Sequence, residues 1–244
     1  MTQRVLRGAA VLIALTITIP TAPVDALVPT RADMHAANVG YASDSMPADS
    51  TESVSANLAV NAAEMGLRAP VLELALQAHA RVTAAGRTSS PILTVVDYSL
   101  ASRVPRLWVL DVERGVVLER ELVAHGNRSG GDMATSFSNR PGSNQSSLGT
   151  FLTGQTYRGK HGKSLRLHGL DEGLNDHAFE RAIVIHGADY VNAGIVDQLG
   201  RLGRSQGCPA LRKEVSGRII DLIRDGTVIF SYHPSADFEA ALAS

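Results

Sequence analysis

A second cysteine is what this sequence lacks. Cys208 stands alone among 244 residues, which excludes a disulfide scaffold and a thiolate zinc cluster, since each needs several. An excess of charge of either sign is missing too. With Arg4, Arg7 and Asp25 of the N-terminal stretch set aside, residues 27–244 keep 21 basic and 23 acidic side chains. That balance leaves no electrostatic footprint for nucleic acid or a membrane surface. A long apolar run occurs only once, at the N-terminus, and no internal repeat is visible.

That run reads as an export signal over residues 1–26. Arg4 and Arg7 precede the apolar stretch Ala9–Ile19, Pro20 ends it, and Val24-Asp25-Ala26 has the small-x-small form of a cleavage site. The run is shorter than the ~20 residues a spanning helix needs, so the mature chain is expected to be exported to the periplasm or cell envelope, soluble after cleavage and monomeric. Export sharpens the question of Cys208. An unpaired thiol in an oxidising compartment must be buried and inert, bonded to another molecule, or a working group. Its setting, Gly203-Arg204-Ser205-Gln206-Gly207-Cys208-Pro209, is polar, basic and glycine-rich, which favours a nucleophile.

Residues 27–65 are rich in Ala, Ser, Asp and Asn without an apolar period and read as a disordered spacer. Residues 66–90 hold a packing helix and linker: Val71, Leu72, Ala75, Leu76, Ala80 and Val82 follow helical spacing behind Pro70, and Gly86 is a stop. From 91 to 235 the texture is mainly β. The spacing predicts strands at 92–98, 107–112 and 116–123, the last two joined by a turn at Glu113-Arg114-Gly115. Further strands are expected at 148–153, 164–168, 181–186 and 226–232, with a helix near 213–225 and a polar loop over 168–177. The Gly/Ser/Asn-rich stretch 126–147 is too long for a simple connection and is a candidate functional loop. These elements predict a β-sandwich or barrel with two or three peripheral helices, ending in a C-terminal tail at 236–244.

His186 closes the apolar run Ala182-Ile183-Val184-Ile185 and is expected where a strand meets a loop. A histidine beside Cys208 supplies what a free thiol needs, a base that takes its proton to give a thiolate–imidazolium pair. Its second ring nitrogen then requires an acceptor that fixes the tautomer. Gly207 allows close backbone approach, and the Cys208 N–H can face a developing oxyanion. Arg204 reads equally as a binder of a substrate carboxylate or a solvated charge. His125, at the end of the 116–124 run, either lines a cleft or caps its strand.

Ile183-Val184-Ile185-His186-Gly187 followed by Gly203-Arg204-Ser205-Gln206-Gly207-Cys208-Pro209 resembles the catalytic domain of the YkuD-type L,D-transpeptidases, in particular the murein L,D-transpeptidase catalytic domain family. Ser146-Ser147-Leu148-Gly149, Tyr157–Gly162 and Ser164–Leu167 extend the similarity over about residues 91–233. The resemblance implies the L,D-transpeptidase-like β fold and an acyl-enzyme on Cys208, formed from a peptidoglycan tetrapeptide stem and passed to an amine. Resolution by water would make the same site an L,D-carboxypeptidase. It implies His186 as general base, Gly187 as the carbonyl that orients it, and Gly207 with Cys208 as the frame of the oxyanion hole, with no cofactor. The family's common histidine before the Gly-Cys pair is Gln206 here, and its arginine two residues after the cysteine is Ala210. Arg204, Ser205, Gln206 and Arg212 are therefore the candidates for substrate binding.

Three rival readings use the same residues. Gly203-Arg204-Ser205-Gln206-Gly207 matches a serine-hydrolase elbow with Asp221 or Asp225 and His233 downstream, although the preceding 197–202 is too polar for the buried strand an elbow needs. His161, His168, His177 and His186 lie in one stretch with Asp171 and Asp176, but without tight metal-ligand spacing, so no metal is expected. A non-catalytic murein-binding module accommodates Gln206 and Ala210 but leaves the free thiol unexplained.

Overall fold

The computed structural model describes residues 48–235 and Phe238. The expected signal at 1–26, the first part of the spacer at 27–47 and the tail apart from Phe238 lie outside the described residues. Nine strands form one sheet: β1 Ile92–Asp97, β2 Leu107–Asp111, β3 Val116–Glu121, β4 Val123–Ala124, β5 Gly149–Gly159, β6 Gly162–Gly169, β7 Val184–Ala188, β8 Ala210–Arg212 and β9 Val228–Tyr232. Their order is β3-β2-β1-β9-β5-β6-β7-β8-β4. The two end strands, β3 and β4, are joined through Leu122 alone, so the sheet curls into a nearly closed barrel. Of the pairs between these nine strands, β1–β9 and β7–β8 are parallel.

Alternation sets the inside of this barrel. Leu165 and Leu167 of β6 are buried while Arg166 and His168 face outward, the period of two that a half-buried strand requires. Trp108, Leu93, Val95, Leu110 and Phe230 fill the main core. A smaller apolar cluster of Ala124, Ala188, Val191, Leu202 and Ala210 lies at the β7–β8 end.

Four helices, α1 Ala48–Glu64, α2 Ala69–Ala84, α3 Ala193–Leu199 and α4 Lys213–Ile223, exceed the two or three expected. The unexpected ones are α1 and α3, and neither turns a broad apolar face inward: α3 buries none of its residues. α1 replaces the expected spacer over 48–64. Among its described side chains it buries Leu58 and Ala62, four residues apart, and Asn61 Nδ2 donates to Gly115 O at 2.8 Å. The chain just beyond α1 is fixed by Trp108 Nε1 donating to Met65 O at 2.9 Å. α2 starts near Pro70 as expected, and Arg68 at its N-terminus pairs with the fully buried Asp97 at 2.7 Å. α4 turns Ser216, Ile219, Ile220 and Ile223 inward and packs on β7. None of these helices is long and apolar enough to cross a membrane, among the described residues.

Several strand limits differ from expectation. β5 and β6 run on past 153 and start before 164, making a long hairpin whose tip is Lys160-His161. β7 starts later and continues to Ala188, so His186 sits mid-strand rather than at a strand end. Phe238, the one described residue of the expected tail, is fully buried against Phe230 and Tyr232.

Candidate active site

β7 is the axis of the site. His186 pairs with Ser164 of β6 on one side and with Ala210 of β8 on the other. Cys208 precedes Ala210 by two residues, so the same parallel register carries the thiol to the edge of β7 beside Val184. The turn that delivers it is pinned on both sides. Ser205 N–H donates to His125 O at 2.9 Å, and Asn127 N–H donates to Ser205 O at 2.8 Å. Ser205 Oγ donates to Cys208 O at 2.6 Å and accepts from Gly207 N–H at 3.1 Å. Gly207 has φ +116°, and a Cβ there would stand 2.8 Å from Gln145 O, so only glycine fits the turn without strain.

His186 is almost fully buried, and its Nδ1 lies 3.0 Å from Gly187 O. A carbonyl can only accept, so Nδ1 carries the proton and Nε2 holds a free lone pair. A Cβ on Gly187 would collide with Ser216 of α4, so helix packing fixes the carbonyl that orients the imidazole. Burial pushes the His186 pKa down, Gly187 O opposes this, and His161 and Lys160 push it further down. The His161 ring stacks on His186 with centroids 4.3 Å apart. Cys208 is half-buried, and its Sγ–H points to Ala182 O at 3.8 Å. Burial raises its pKa against the Val184 backbone, Arg181 and Lys160. Loss of hydration in the same pocket thus works against charge on both groups, and against the ion pair expected from sequence.

Both residues line a cleft of about 530 Å³. Lys160, Arg181 and Arg204 also line it, and no carboxylate does among the described residues. Such a site can take a proton from a thiol, attack a carbonyl and attract an anionic substrate.

A family model described as L,D-transpeptidase catalytic domain matches residues 63–232. The chain belongs to this family. The match starts within α1 and so includes α2, beyond the 91–233 stretch that carries the resemblance. No curated protein matches the sequence. Among solved structures, an L,D-transpeptidase from Mycobacterium smegmatis is 14% identical, with 59% of each chain covered and a TM-score of 0.38. The Xylanimonas cellulosilytica L,D-transpeptidase is 18% identical over 63% of this chain and 68% of its own, with a TM-score of 0.34. The helical cell shape determining protein Pgp2 of Campylobacter jejuni, as a K307A mutant, is 13% identical over 62% and 51%, with a TM-score of 0.39. The chain thus spans 59% of the length of the M. smegmatis protein.

Within this cleft the sequence-predicted residues separate. Cys208, His186, Arg204 and Gln206 line it. Ser205 also borders it, but its hydroxyl is spent on the Cys208 turn. α3 and a loop precede Ser205, not the buried strand an elbow needs, while Asp221 pairs with Lys163 and Asp225 with Arg224. Gly207 contributes shape but no free donor, since its N–H is held by Ser205; the Cys208 N–H has no hydrogen-bond partner among the described residues. Arg212 is outside the cleft. Its Nε donates to Glu121 at 2.8 Å and its Nη2 to the other carboxylate oxygen, so Glu121 occupies the fork that a substrate would need. Ala210 is fully buried in the small apolar cluster, a place with no room for the family's common arginine. No group of three metal-ligating side chains occurs among the described residues.

Arg181 and Lys160 line the cleft without having been expected there, and His161, weighed from sequence only as a metal ligand, lines it too. Arg181 donates to Ser138 O, Ser143 Oγ, Gln145 O and Ser147 Oγ, which staples the returning limb of the 126–147 loop beside Cys208. His125 is fully buried behind the site and is not among the residues that line this cleft. Its Nδ1 accepts from Arg106 Nη2 at 2.8 Å, and its Nε2 has no partner among the described residues.

Burial and then the Arg106 charge lower the His125 pKa to about 4. The unfolded chain binds this proton near the ordinary value of about 6.5. Stability is thus full above pH ~6.5 and falls towards pH ~4, by about 3 kcal/mol from this group. Thermal melts across that window are expected to show the loss. His125→Gln, which keeps an acceptor for Arg106, should shrink the drop; an unchanged drop would assign it elsewhere.

Proposed function

We propose that the protein is an exported cysteine L,D-transpeptidase acting on peptidoglycan tetrapeptide stems. The observation that carries this reading is the His186 tautomer: Nδ1–H on Gly187 O leaves Nε2 as the base in the cleft that holds Cys208. Cys208 Sγ attacks the carbonyl of the third stem residue as its proton passes to Nε2. The Cys208 N–H faces the oxyanion. Collapse breaks the amide, and D-alanine leaves with the proton from His186, giving a thioester on Cys208. An amine then attacks the thioester while His186 takes its proton, and the thiol returns. Water in place of the amine yields the tripeptide, the L,D-carboxypeptidase outcome. Arg204 and Lys160 line the same cleft and offer cations to a substrate carboxylate, with no acidic competitor among the described lining residues. The chemistry needs no metal or organic cofactor.

The test is incubation of the mature chain with disaccharide-tetrapeptide, read by mass spectrometry. D-alanine release and an acyl adduct on the Cys208 peptide are expected, followed by cross-linked dimer or tripeptide in a ratio that gives the partition. An adduct on Ser205 would hand the site to a serine hydrolase. Retention on murein sacculi without turnover would make the protein a binding module.

A further inference from the structure

The outer face of the β5–β6 hairpin carries a built row of side chains that the reaction does not use. The Arg166 guanidinium lies 4.7 Å from the centre of the Tyr157 ring and 5.5 Å from that of Phe179. Phe179 in turn stacks nearly flat on His168, with centroids 4.8 Å apart at 12°. Gly154 on β5 makes room for this. A Cβ there would stand 2.8 Å from His168 Nε2 and 3.1 Å from its Cδ2, so the imidazole lies against bare backbone. Cation–π and stacking contacts order the row, yet Phe179 keeps 49% of its surface exposed and Tyr157 38%. Single exposed apolar residues are ordinary. Here they are aligned and held, and the row begins in the cleft itself, which Tyr157 lines.

We infer that Tyr157, Arg166, Phe179 and His168 form a carbohydrate-docking surface that receives the glycan strand from which the stem peptide hangs. The choice of saccharide rests on the peptidoglycan reading above. A pyranose ring has an apolar face of C–H bonds that packs on an aromatic face, while its hydroxyl and acetamido groups suit the donors of Arg166 and His168. The row contains no carboxylate, and its continuity with the cleft lets one substrate place its peptide at Cys208 and its sugars on Phe179.

The test compares wild type with Phe179→Ser, a surface change outside the cleft, on disaccharide-tetrapeptide and on the same tetrapeptide without sugars. The KM for the sugar-bearing substrate is expected to rise about tenfold with kcat unchanged, the loss typical of removing an aromatic anchor. The free tetrapeptide should change by less than about twofold, and the thermal midpoint should stay put. Equal losses on both substrates, or none on either, would overturn the proposal. Calorimetric titration with chitopentaose separates this inference from the enzymatic reading. Saccharide binding lost in Phe179→Ser, in a protein without turnover, would sink the transpeptidase and keep the docking surface. Turnover without saccharide binding and without the KM difference would do the reverse.

Discussion

Arg106→Met is expected to lower the stability of the fold by about 3–5 kcal/mol, read as a fall in the urea midpoint at unchanged slope. Arg106 is fully buried and forms no ion pair with a carboxylate among the described residues. Its charge is held by neutral groups: Nη1 donates to Leu100 O at 2.7 Å, Nε and Nη2 to Val123 O at 3.1 and 3.0 Å, and Nη2 also to His125 Nδ1. The guanidinium carbon lies 5.1 Å from the centre of the Tyr98 ring. Burial lowers the Arg106 pKa to about 10 and raises that of Tyr98 to about 12, so at neutral pH the arginine stays charged and the phenol neutral. Replacing a buried ion pair by apolar groups is often harmless when both partners go. Here the partners are mainly backbone carbonyls, which no substitution removes. Methionine fills the volume and leaves them unpaired at about 1–3 kcal/mol each. In a domain with ~5–15 kcal/mol in total, that is a large fraction. A loss below about 1 kcal/mol would mean that water enters and satisfies the carbonyls.

The same residue marks where sequence reading stops. Nothing local to Arg106 distinguishes it from a surface arginine, because its acceptors at 123 and 125 arrive through the closure of the barrel. Elements with strong apolar periods were legible: α2, β1, the β2–β3 pair, α4 and β9 fall close to their expected places. α1 was not, since a stripe of one leucine and one alanine produces no visible period. At the site, the meeting of Cys208 and His186 in one cleft was legible because a thiol needs a base beside it. Arg181, Lys160 and His161 were not, because they come from the 170–183 segment and the hairpin tip and meet Cys208 only in space. Arg212 misled for the opposite reason. It lies near the cysteine in sequence, yet Glu121, ninety-one residues away in the chain, takes its guanidinium.

Cys208→Ala is expected to abolish thioester formation and D-alanine release, while His186→Gln should lower kcat/KM by about 10²–10⁴ and change the shape of the pH profile. The pKa directions determine that shape. His186 must be neutral to accept the proton, and burial moves its pKa below the ordinary 6.5 or so. The acid limb of the wild-type profile therefore lies below pH ~6.5. The thiol is shifted above its ordinary value of about 8.5, so spontaneous ionisation adds little near neutrality and the profile is flat across it. Without the base, turnover follows the small thiolate fraction, and the rate of His186→Gln should climb about tenfold per pH unit and still be rising at pH ~9. Iodoacetamide offers a check that needs no substrate: wild-type Cys208 should alkylate slowly at pH ~7 and faster as pH rises. Rapid alkylation at pH ~7 that holds level above it would mean a preformed thiolate–imidazolium pair. In that case the field of Lys160 and Arg181 on the thiol would outweigh its burial, and the proton transfer assigned to the Michaelis complex would already be complete in the free enzyme.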